Sequence, residues 1–294
     1  MTKRRQLSVF AATILAATTL AVGITAGFAN ATQKRGDVDV LYAGSLLRLM
    51  ETRFGPAFDK ASRYRFVGFA AGSTELANEV KASVRTGDVF VSASPTADLA
   101  LEGKANGAWV SWYASFASSP LVLGYDPHGR FASALRSRPW YDVVTKAGFH
   151  VGRTDPTLDP KGVLTVTAIR ETAQKTGDRK LLSILKTDSG VFPEETLLGR
   201  LEAGQLDAGF FYLDEARAAG IPTISLAPVA LSATYTVTVL TRAPHEQAAI
   251  AFVRYLLGHS GRSILIAGGL DPRTPAIVRG THVPSALAGL VTRG

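Results

Sequence analysis

The chain has 294 residues, 46% of them hydrophobic, and its 32 Lys and Arg exceed its 24 Asp and Glu, giving a formal net charge of +8 at pH 7. This length is enough to bury a core in one large domain or two smaller ones. The absence of cysteine excludes a disulfide framework, a thiolate metal site and a lipid-modified cysteine. No basic run with interleaved aromatics is present, which argues against nucleic acid as a partner.

The N-terminal segment has the three parts of a secretory signal peptide. Three basic residues, Lys3 to Arg5, precede an apolar stretch over residues 7–29, and an Ala-Asn-Ala tripeptide ends at Ala31. We predict that residues 1–31 are a signal peptide and that the protein is released into the periplasm. An uncleaved anchor is the alternative, because about 20 apolar residues can cross a bilayer.

Strand-like and helix-like patterns then alternate along nearly the whole chain. β-Branched and aromatic runs predict strands, and apolar residues three or four apart predict helices. The predicted strands cover residues 38–42, 64–69, 88–94, 120–127, 149–156, 207–213, 221–226 and 234–241. The predicted helices cover residues 46–58, 76–84, 162–174, 195–203, 245–257 and 262–267, and the tail rich in Pro and Gly after Leu270 is predicted as loop.

This alternation predicts an α/β protein with mostly parallel sheets flanked by helices. Residues 109–125, "WVSWYASFASSPLVLGY", are typical of a strand that leaves one sheet and enters another, and the strand at 234–241 could return the chain. We therefore predict two lobes with a ligand cleft between them. Lobe I comprises residues 32–118 and 235–294, and lobe II comprises residues 119–234.

The triplet Ala-Gly-Ser occurs at two strand-to-helix corners, ending at Ser45 and at Ser73. Gly44 and Gly72 allow a tight turn and a close approach of a ligand to the backbone. The first N–H groups of a helix are unpaired and carry partial positive charge, so a helix start is suited to an anion. Either corner alone could be an ordinary N-cap, but two at one sheet edge predict a shared anion site.

Six ordered blocks carry a family resemblance: "VLYAGSL", "AAGSTELANEV", "DVFVSAS", "WYASFASSPLVLGY", "RTDPTLDPKG" and "LLGRLEAGQLDAGFFY". Together they resemble the periplasmic molybdate/tungstate-binding proteins of ABC importers, in the tungstate-binding branch, over residues 38–258. The resemblance implies a two-lobed type II solute-binding fold that closes over a tetrahedral oxyanion. It also implies delivery to an inner-membrane permease driven by a separate ATPase, with no cofactor, and we expect a monomer.

The resemblance also implies the ligand-binding residues. Ser45 and Ser73 match the serines that donate to the oxyanion, helped by N–H groups near Gly44 and Gly72. Asp159 and Glu202 match two carboxylates that reach the Mo or W centre. That arrangement is chemically reasonable because these hard, large centres can expand from four to six oxygen ligands, whereas sulfur in sulfate cannot. Molybdate and tungstate are too alike in size and charge for the sequence to rank them.

The sequence departs from the family pattern in two places. Residues 92–94 read Ser-Ala-Ser where many relatives have Ser-Ala-Asp, and the segment between Lys186 and Glu195 is short. Without the resemblance, Asp159 reads as a turn residue and Glu202 as a solvated helix position.

Other chemistries have weaker support in the sequence. Ser183 begins an S-x-x-K match and Lys175 a K-T-G match, but their order is the reverse of that in penicillin-binding enzymes and no S-D-N element is present. The five histidines are scattered and no phosphate-binding loop is found, so we predict neither an enzyme nor an ATPase.

Different ligands for the same binding fold remain open. Sulfate or phosphate could use the same two helix starts, and an organic acid would need an arginine clamp, for which Arg153 is a candidate. Ferric iron would need clustered tyrosines, whereas Tyr212 and Tyr235 lie apart in the sequence.

Overall fold

The computed structural model describes residues 36–294, so the predicted signal peptide at residues 1–31 lies outside the described residues. Within the described range, no helix combines the length and the apolar character needed to span a bilayer.

Eleven strands and eleven α-helices are found in this part of the chain. The strands are β1 (Gly36–Ala43), β2 (Tyr64–Ala71), β3 (Val89–Ser92), β4 (Trp112–Tyr125), β5 (Val151–Thr154), β6 (Val191–Phe192), β7 (Ala208–Tyr212), β8 (Thr223–Ser225), β9 (Ser232–Val239), β10 (Asp271–Gly280) and β11 (Val291–Arg293). The helices are α1 (Leu47–Leu49), α2 (Gly55–Ala61), α3 (Ser73–Lys81), α4 (Pro95–Leu99), α5 (Ala132–Ser137), α6 (Trp140–Val144), α7 (Pro160–Thr176), α8 (Glu194–Glu202), α9 (Leu213–Ala218), α10 (Glu246–Leu257) and α11 (His259–Ala267).

The predicted α/β fold is confirmed, and its sheet follows the order β2-β1-β3-β9-β4-β7-β5-β6. The prediction of mostly parallel strands holds for the outer strands, where β1 pairs in parallel with β2 and β3, and β5 with β6 and β7. It is wrong for the centre, where β4 and β9 are antiparallel to their neighbours. Strand β4 takes the chain from lobe I to lobe II and β9 returns it, so the two strands must run in opposite directions.

Strand β4 changes partners along its length. Up to Pro120 it pairs with β9, and from Leu121 it pairs with β7. We call the part around β1, β2, β3 and β9 lobe I and the part around β5 to β8 lobe II. The side chains of β4 are almost all buried, as expected for a strand shared by two packed layers.

The C-terminal region differs from the sequence prediction. The tail after Leu270 was predicted as loop because of its Pro and Gly content, but β10 pairs antiparallel with β4 and β11 pairs with β10. A register shift between Pro272 and Ile277 accommodates Pro275 at this position. Proline is tolerated in edge strands and at bulges, where no ladder hydrogen bond is lost.

Several strands end at the edge of the sheet that faces the other lobe. In lobe I the ends of β1 and β2 are adjacent, because Ala43 is the register partner of Ala71. In lobe II, Thr154 ends β5 and Tyr212 ends β7. The corners that follow these strands therefore converge on one region between the lobes.

Candidate functional site

The two Ala-Gly-Ser triplets lie side by side. Ala43 and Ala71 are paired across β1 and β2, so the following Gly44 and Gly72, and then Ser45 and Ser73, leave the sheet together. Ser45 lies in a 3₁₀ turn, and Ser73 is the first residue of α3 with Gly72 as its N-cap. Both serines are buried. The structure therefore brings together the two corners that the sequence singles out.

The two serines differ in the use of their hydroxyl hydrogens. The Ser73 hydroxyl oxygen accepts from the Ala93 N–H at 3.0 Å, so its own hydrogen is free to be donated. The Ser45 hydroxyl lies 3.0 Å from the Tyr235 hydroxyl, which in turn donates to Asp214 at 3.5 Å. Either hydroxyl can donate in the Ser45–Tyr235 pair, because the Tyr235–Asp214 contact is at the limit of a hydrogen bond; when Tyr235 donates, the hydrogen of Ser45 is free for another acceptor.

Lobe II approaches both glycines closely. A Cβ atom added to Gly44 would lie 3.0 Å from Oε2 of Glu194, and one added to Gly72 would lie 2.5 Å from the Leu158 carbonyl oxygen and 3.2 Å from Cβ of Asp159. The contact between the lobes therefore requires glycine at position 72, where the backbone of Leu158 blocks a side chain, and leaves little room for one at position 44.

Asp159 lies at this contact as the N-cap of α7. Its Oδ1 accepts from the Lys161 N–H at 3.1 Å, and Pro160 occupies the first turn, where a missing N–H costs nothing. Its Oδ2 is buried and has no hydrogen-bond partner of normal geometry within residues 36–294, although the Thr154 hydroxyl is near enough to lower the pKa of this carboxyl. Burial raises the pKa of the Asp159 carboxyl, against the opposing effect of the nearby Lys161 ammonium.

Glu194 is the second lobe II acid in this group. It is the first residue of α8 and is only 2% exposed. Neither of its carboxylate oxygens has a hydrogen-bond partner of normal geometry among the described residues, and the Lys161 ammonium lies 3.5 Å from Oε1. Burial raises the pKa of the Glu194 carboxyl well above its usual range, and the charge of Asp159 raises it further.

Lys161 lies among these acids with no exposed surface. Its ammonium donates to both oxygens of Glu215, at 2.9 Å and 3.1 Å. Burial acts to lower the pKa of Lys161, but the Glu215, Glu194 and Asp159 carboxylates outweigh it and raise the pKa. Burial also raises the pKa of Glu215 to about 7 and that of Asp214 to about 6. We call Asp159, Lys161, Glu194, Asp214 and Glu215 the acidic cluster.

The structure does not bring Glu202 to this cluster. Its side chain is 39% exposed, and its carboxylate pairs with Arg48 of lobe I at 2.6 Å. Glu202 ends the helix that Glu194 begins, and eight residues of helix span about 12 Å. Only the start of α8 reaches the corners of lobe I.

A local pattern in the sequence could have identified Glu194. The segment Pro-Glu-Glu follows a short strand and begins a helix, as Leu-Asp-Pro-Lys does around Asp159. Both place an acid beside a proline at the first turn of a helix that follows a strand.

The two tyrosines considered as iron ligands meet in the fold. The rings of Tyr212 and Tyr235 lie 6.0 Å apart in an edge-to-face arrangement, which is a favourable packing geometry. The Tyr212 hydroxyl is buried without a hydrogen-bond partner in the described part of the chain.

One histidine also joins two acids, outside the cleft. Ligating atoms of Asp39, Asp88 and His245 lie within 4.8 Å of one another. The Asp88 carboxylate already accepts from the Asp39 N–H at 2.8 Å, the His245 N–H at 2.6 Å and the His245 ring at 3.0 Å. These bonds fix the start of α10 against β1 and β3, so we assign the group a structural role.

The architecture and the buried polar group between two lobes define the class of this chain: it has the fold of a solute-binding protein. The sequence matches the family described as bacterial extracellular solute-binding protein over residues 38–271, and the chain belongs to that family. Proteins of this family act in the periplasm or outside the cell.

Sequence relatives and solved structures agree with this assignment. A Haloferax volcanii protein named as the molybdenum-binding protein of an ABC transporter is 31% identical over 71% of this chain and 65% of its own length. The molybdate/tungstate-binding protein WtpA of Thermococcus kodakarensis is 23% identical over 90% of this chain and 89% of its own length. The sulfate-binding protein SubI of Mycobacterium tuberculosis has a similar fold, with a TM-score of 0.62 at 14% identity, covering 81% of this chain and 87% of its own.

Proposed function

We propose that this protein binds molybdate or tungstate between its two lobes and delivers the anion to an ABC-type permease of the inner membrane. The names of the Haloferax and Thermococcus relatives support both the ligand and the transporter. The likeness to a sulfate-binding protein supports the fold alone, because one fold can carry sites for many ligands.

The observation that carries this proposal is the pair of buried carboxylates with free oxygens. Oδ2 of Asp159 and both oxygens of Glu194 lie against the two glycine corners without hydrogen-bond partners of normal geometry in the described structure, although the Gly44 N–H is near enough to Glu194 to lower its pKa. When they are ionised, these carboxylates can only accept, and they then repel the oxygens of sulfate or phosphate. They could instead bind an anion whose central atom accepts further oxygen ligands, as Mo(VI) and W(VI) do.

The proposed roles follow from the chemistry of each group. Ser73 and Ser45 donate hydroxyl hydrogens to the oxyanion, with N–H groups at Gly44 and Gly72 beside them. Asp159 and Glu194 supply oxygens to the metal centre, and Glu194 takes the place that the sequence resemblance gave to Glu202. Lys161 offsets part of the negative charge that the ligand and the acids bring together.

Access to the site requires the lobes to separate. Ser45, Ser73, Asp159 and Glu194 are each at most 5% exposed, so an anion cannot reach them in this arrangement. We propose that lobe I comprises residues 32–118 and 235–294 and lobe II residues 119–234. The change of partners of β4 between Pro120 and Leu121 supports that division.

The remaining features of the proposal concern location and partners. We infer that residues 1–31 direct export to the periplasm and are removed, and that the mature protein is a monomer without lipid attachment or enzymatic activity. Mass spectrometry of the protein purified from the periplasm would give its first residue, and light scattering would give its mass in solution.

Calorimetry tests the ligand directly. The purified protein is titrated with tungstate, molybdate, sulfate and phosphate, and we expect tight binding of the first two. Sulfate binding without tungstate binding would overturn the proposal. X-ray absorption on the tungstate complex separates direct coordination from hydrogen bonding by protonated acids: six oxygens around tungsten are expected, and four would place Asp159 and Glu194 outside the coordination sphere.

Ferric iron is a second candidate because Tyr212 and Tyr235 meet beside the acidic cluster. The buried ammonium of Lys161 opposes a trivalent cation at this position. A titration with ferric citrate, followed by the visible absorption of iron–tyrosinate, distinguishes the two, and we expect no such band.

A further inference from the structure

Lobe II contains a cavity beside β5 that is distinct from the acidic cluster. Its volume is about 640 Å³, which is in the range of small-molecule sites. It lies along β5, whose Val151 and Arg153 line it, and beside Phe192 at the end of β6, whereas the acidic cluster follows the ends of β5 and β7 at Thr154 and Tyr212. None of the residues of the acidic cluster lines this cavity.

The lining of this cavity is basic. It includes Lys146, Arg153 and Arg200, and none of the described residues that line it is Asp or Glu. The Arg200 guanidinium stacks 4.4 Å above the Phe192 ring and donates to the Gln205 side chain at 3.0 Å. Within residues 36–294, no carboxylate forms a salt bridge with Lys146 or Arg200.

Arg153 is the buried cation of this group. The residue is 5% exposed, and one terminal nitrogen donates to the Thr187 carbonyl oxygen at 3.1 Å. Two carboxylates on its other side act on its charge: Asp188, at 4.0 Å and fully exposed to solvent, and Asp155. Its Nε is buried and has no hydrogen-bond partner in the described part of the chain.

A buried guanidinium in this state is costly. A buried donor without a partner destabilises the fold, and more so when it is charged. A fully exposed carboxylate at 4.0 Å compensates little of this. An anion in the cavity could pair with this charge, since guanidinium binds carboxylate and phosphate.

Apolar side chains complete the wall. Phe149, Phe192 and Leu206 line the same space as the three cations. A ligand that contacts both the cations and the apolar side chains of the wall has an anionic head and an apolar body. Three cations without a lining carboxylate favour a doubly charged head over a singly charged one.

We propose that this cavity is a second ligand site, which binds a small organic phosphate with an apolar body of about one ring. The phosphate contacts Arg153 and Lys146, and the ring lies against Phe149 and Leu206. This site is independent of the oxyanion in the cleft. The sequence already singled out Arg153 as a candidate anion clamp, and the structure places it here instead of in the cleft.

Phenyl phosphate is the probe for this proposal. Calorimetry is run on the protein with and without saturating tungstate, with inorganic phosphate, benzoate and benzyl alcohol as comparisons. We expect one equivalent of phenyl phosphate to bind in both conditions, more tightly than benzoate or inorganic phosphate, and benzyl alcohol not to bind. No binding of phenyl phosphate, or binding that tungstate abolishes, would overturn the proposal.

Variants locate the site. Arg153→Met and Lys146→Gln are each expected to weaken phenyl phosphate binding at least tenfold while leaving tungstate binding unchanged. Arg136→Gln removes an exposed arginine of the same lobe outside the cavity and serves as the matched control. If Arg153→Met does not fold, Lys146→Gln and Arg200→Gln decide the question, and unchanged affinity in both contradicts the proposal.

Discussion

The acidic cluster and the basic cavity of lobe II carry opposite excess charge. In the cluster, one ammonium at Lys161 is surrounded by four buried carboxylates; in the cavity, three cations line a space without a lining carboxylate. Yet we assign an anion to both. The difference teaches that the sign of the local charge does not identify a ligand. The hydrogen-bonding atoms that lack a partner are the better guide to what a site binds. In the cluster these atoms are acceptors that need an electron-poor centre, and in the cavity they are donors that need an anion.

The largest effect is expected from removing the central cation of the cluster. Lys161→Met would leave Glu215 and Glu194 buried without a counter-charge, and breaking a buried ion pair on one side costs about 3–5 kcal/mol. Urea denaturation at pH 7 should show that loss in the free energy of unfolding. Lys175→Met, in the exposed last turn of the same helix, is the control and should change it by less than about 1 kcal/mol. Equal effects of the two changes would show that Lys161 does not balance the acids.

The serine corners should have the next largest effect, on binding. Ser45→Ala and Ser73→Ala are each expected to weaken tungstate binding by about 1–3 kcal/mol, the cost of losing a buried hydrogen-bond partner. Ser73→Ala also leaves the Ala93 N–H without its acceptor, so it should reduce stability as well. Calorimetry and thermal unfolding measure both quantities. Wild-type affinity in the double variant would remove both serines from the site.

The two glutamates of α8 distinguish the binding site proposed from the structure, which includes Glu194, from the one implied by the sequence resemblance, which includes Glu202. Glu194→Gln keeps the shape but lowers the charge of a buried group, and it should weaken tungstate binding by about 1–3 kcal/mol. Glu202→Gln removes only an exposed ion pair with Arg48, which is worth about 0–1 kcal/mol. Parallel titrations of the two variants decide between them. If Glu202→Gln weakens tungstate binding more than Glu194→Gln does, Glu202 is the ligand-binding residue, as the resemblance implies.

Asp98 of lobe I shows what happens to a buried acid with no cation beside it. Burial raises its pKa to about 8, although Thr236 donates to it at 2.5 Å. The folded protein therefore holds a proton that the unfolded chain releases above pH 4. Stability from this group should fall as the pH rises from about 4 to 8 and stay level above that.

Asp98→Asn provides the test, because asparagine has a similar shape and does not titrate. The variant should lack this part of the pH dependence and be at least about 1 kcal/mol more stable than the wild type at pH 8. Urea denaturation from pH 4 to pH 9 measures the difference. Parallel curves for the two proteins would mean that Asp98 is ionised in the fold.

The sequence predicted those parts of the molecule that depend on local pattern. The strand ends before Gly44 and Gly72, the helix that starts after Asp159 and the long strand through Pro120 are all present. The antiparallel centre was missed because the direction of pairing depends on contacts between distant segments. The strands after Leu270 were missed because their prolines occupy an edge position that only tertiary context reveals.

The candidate site was predictable in part for a related reason. Ser45 and Ser73 carry a repeated motif and lie at adjacent strand ends, so local pattern and geometry agree. Glu202 matched a motif but lies two helical turns from the cleft, and a motif does not say which end of a helix points inward. Lys161 and Glu215 were not singled out, because nothing local shows that residues 54 positions apart form an ion pair.

The register of Ala43 with Ala71 has a consequence for changing the ligand. Neighbouring strands in a sheet are about 4.8 Å apart, and backbone hydrogen bonds maintain that spacing. The backbone pairing of β1 and β2 therefore fixes the distance between the two serine corners, and no side-chain substitution in lobe I can widen it. Substitutions meant to make the protein accept a larger or smaller anion would have to be made in lobe II, at the first turns of α7 and α8.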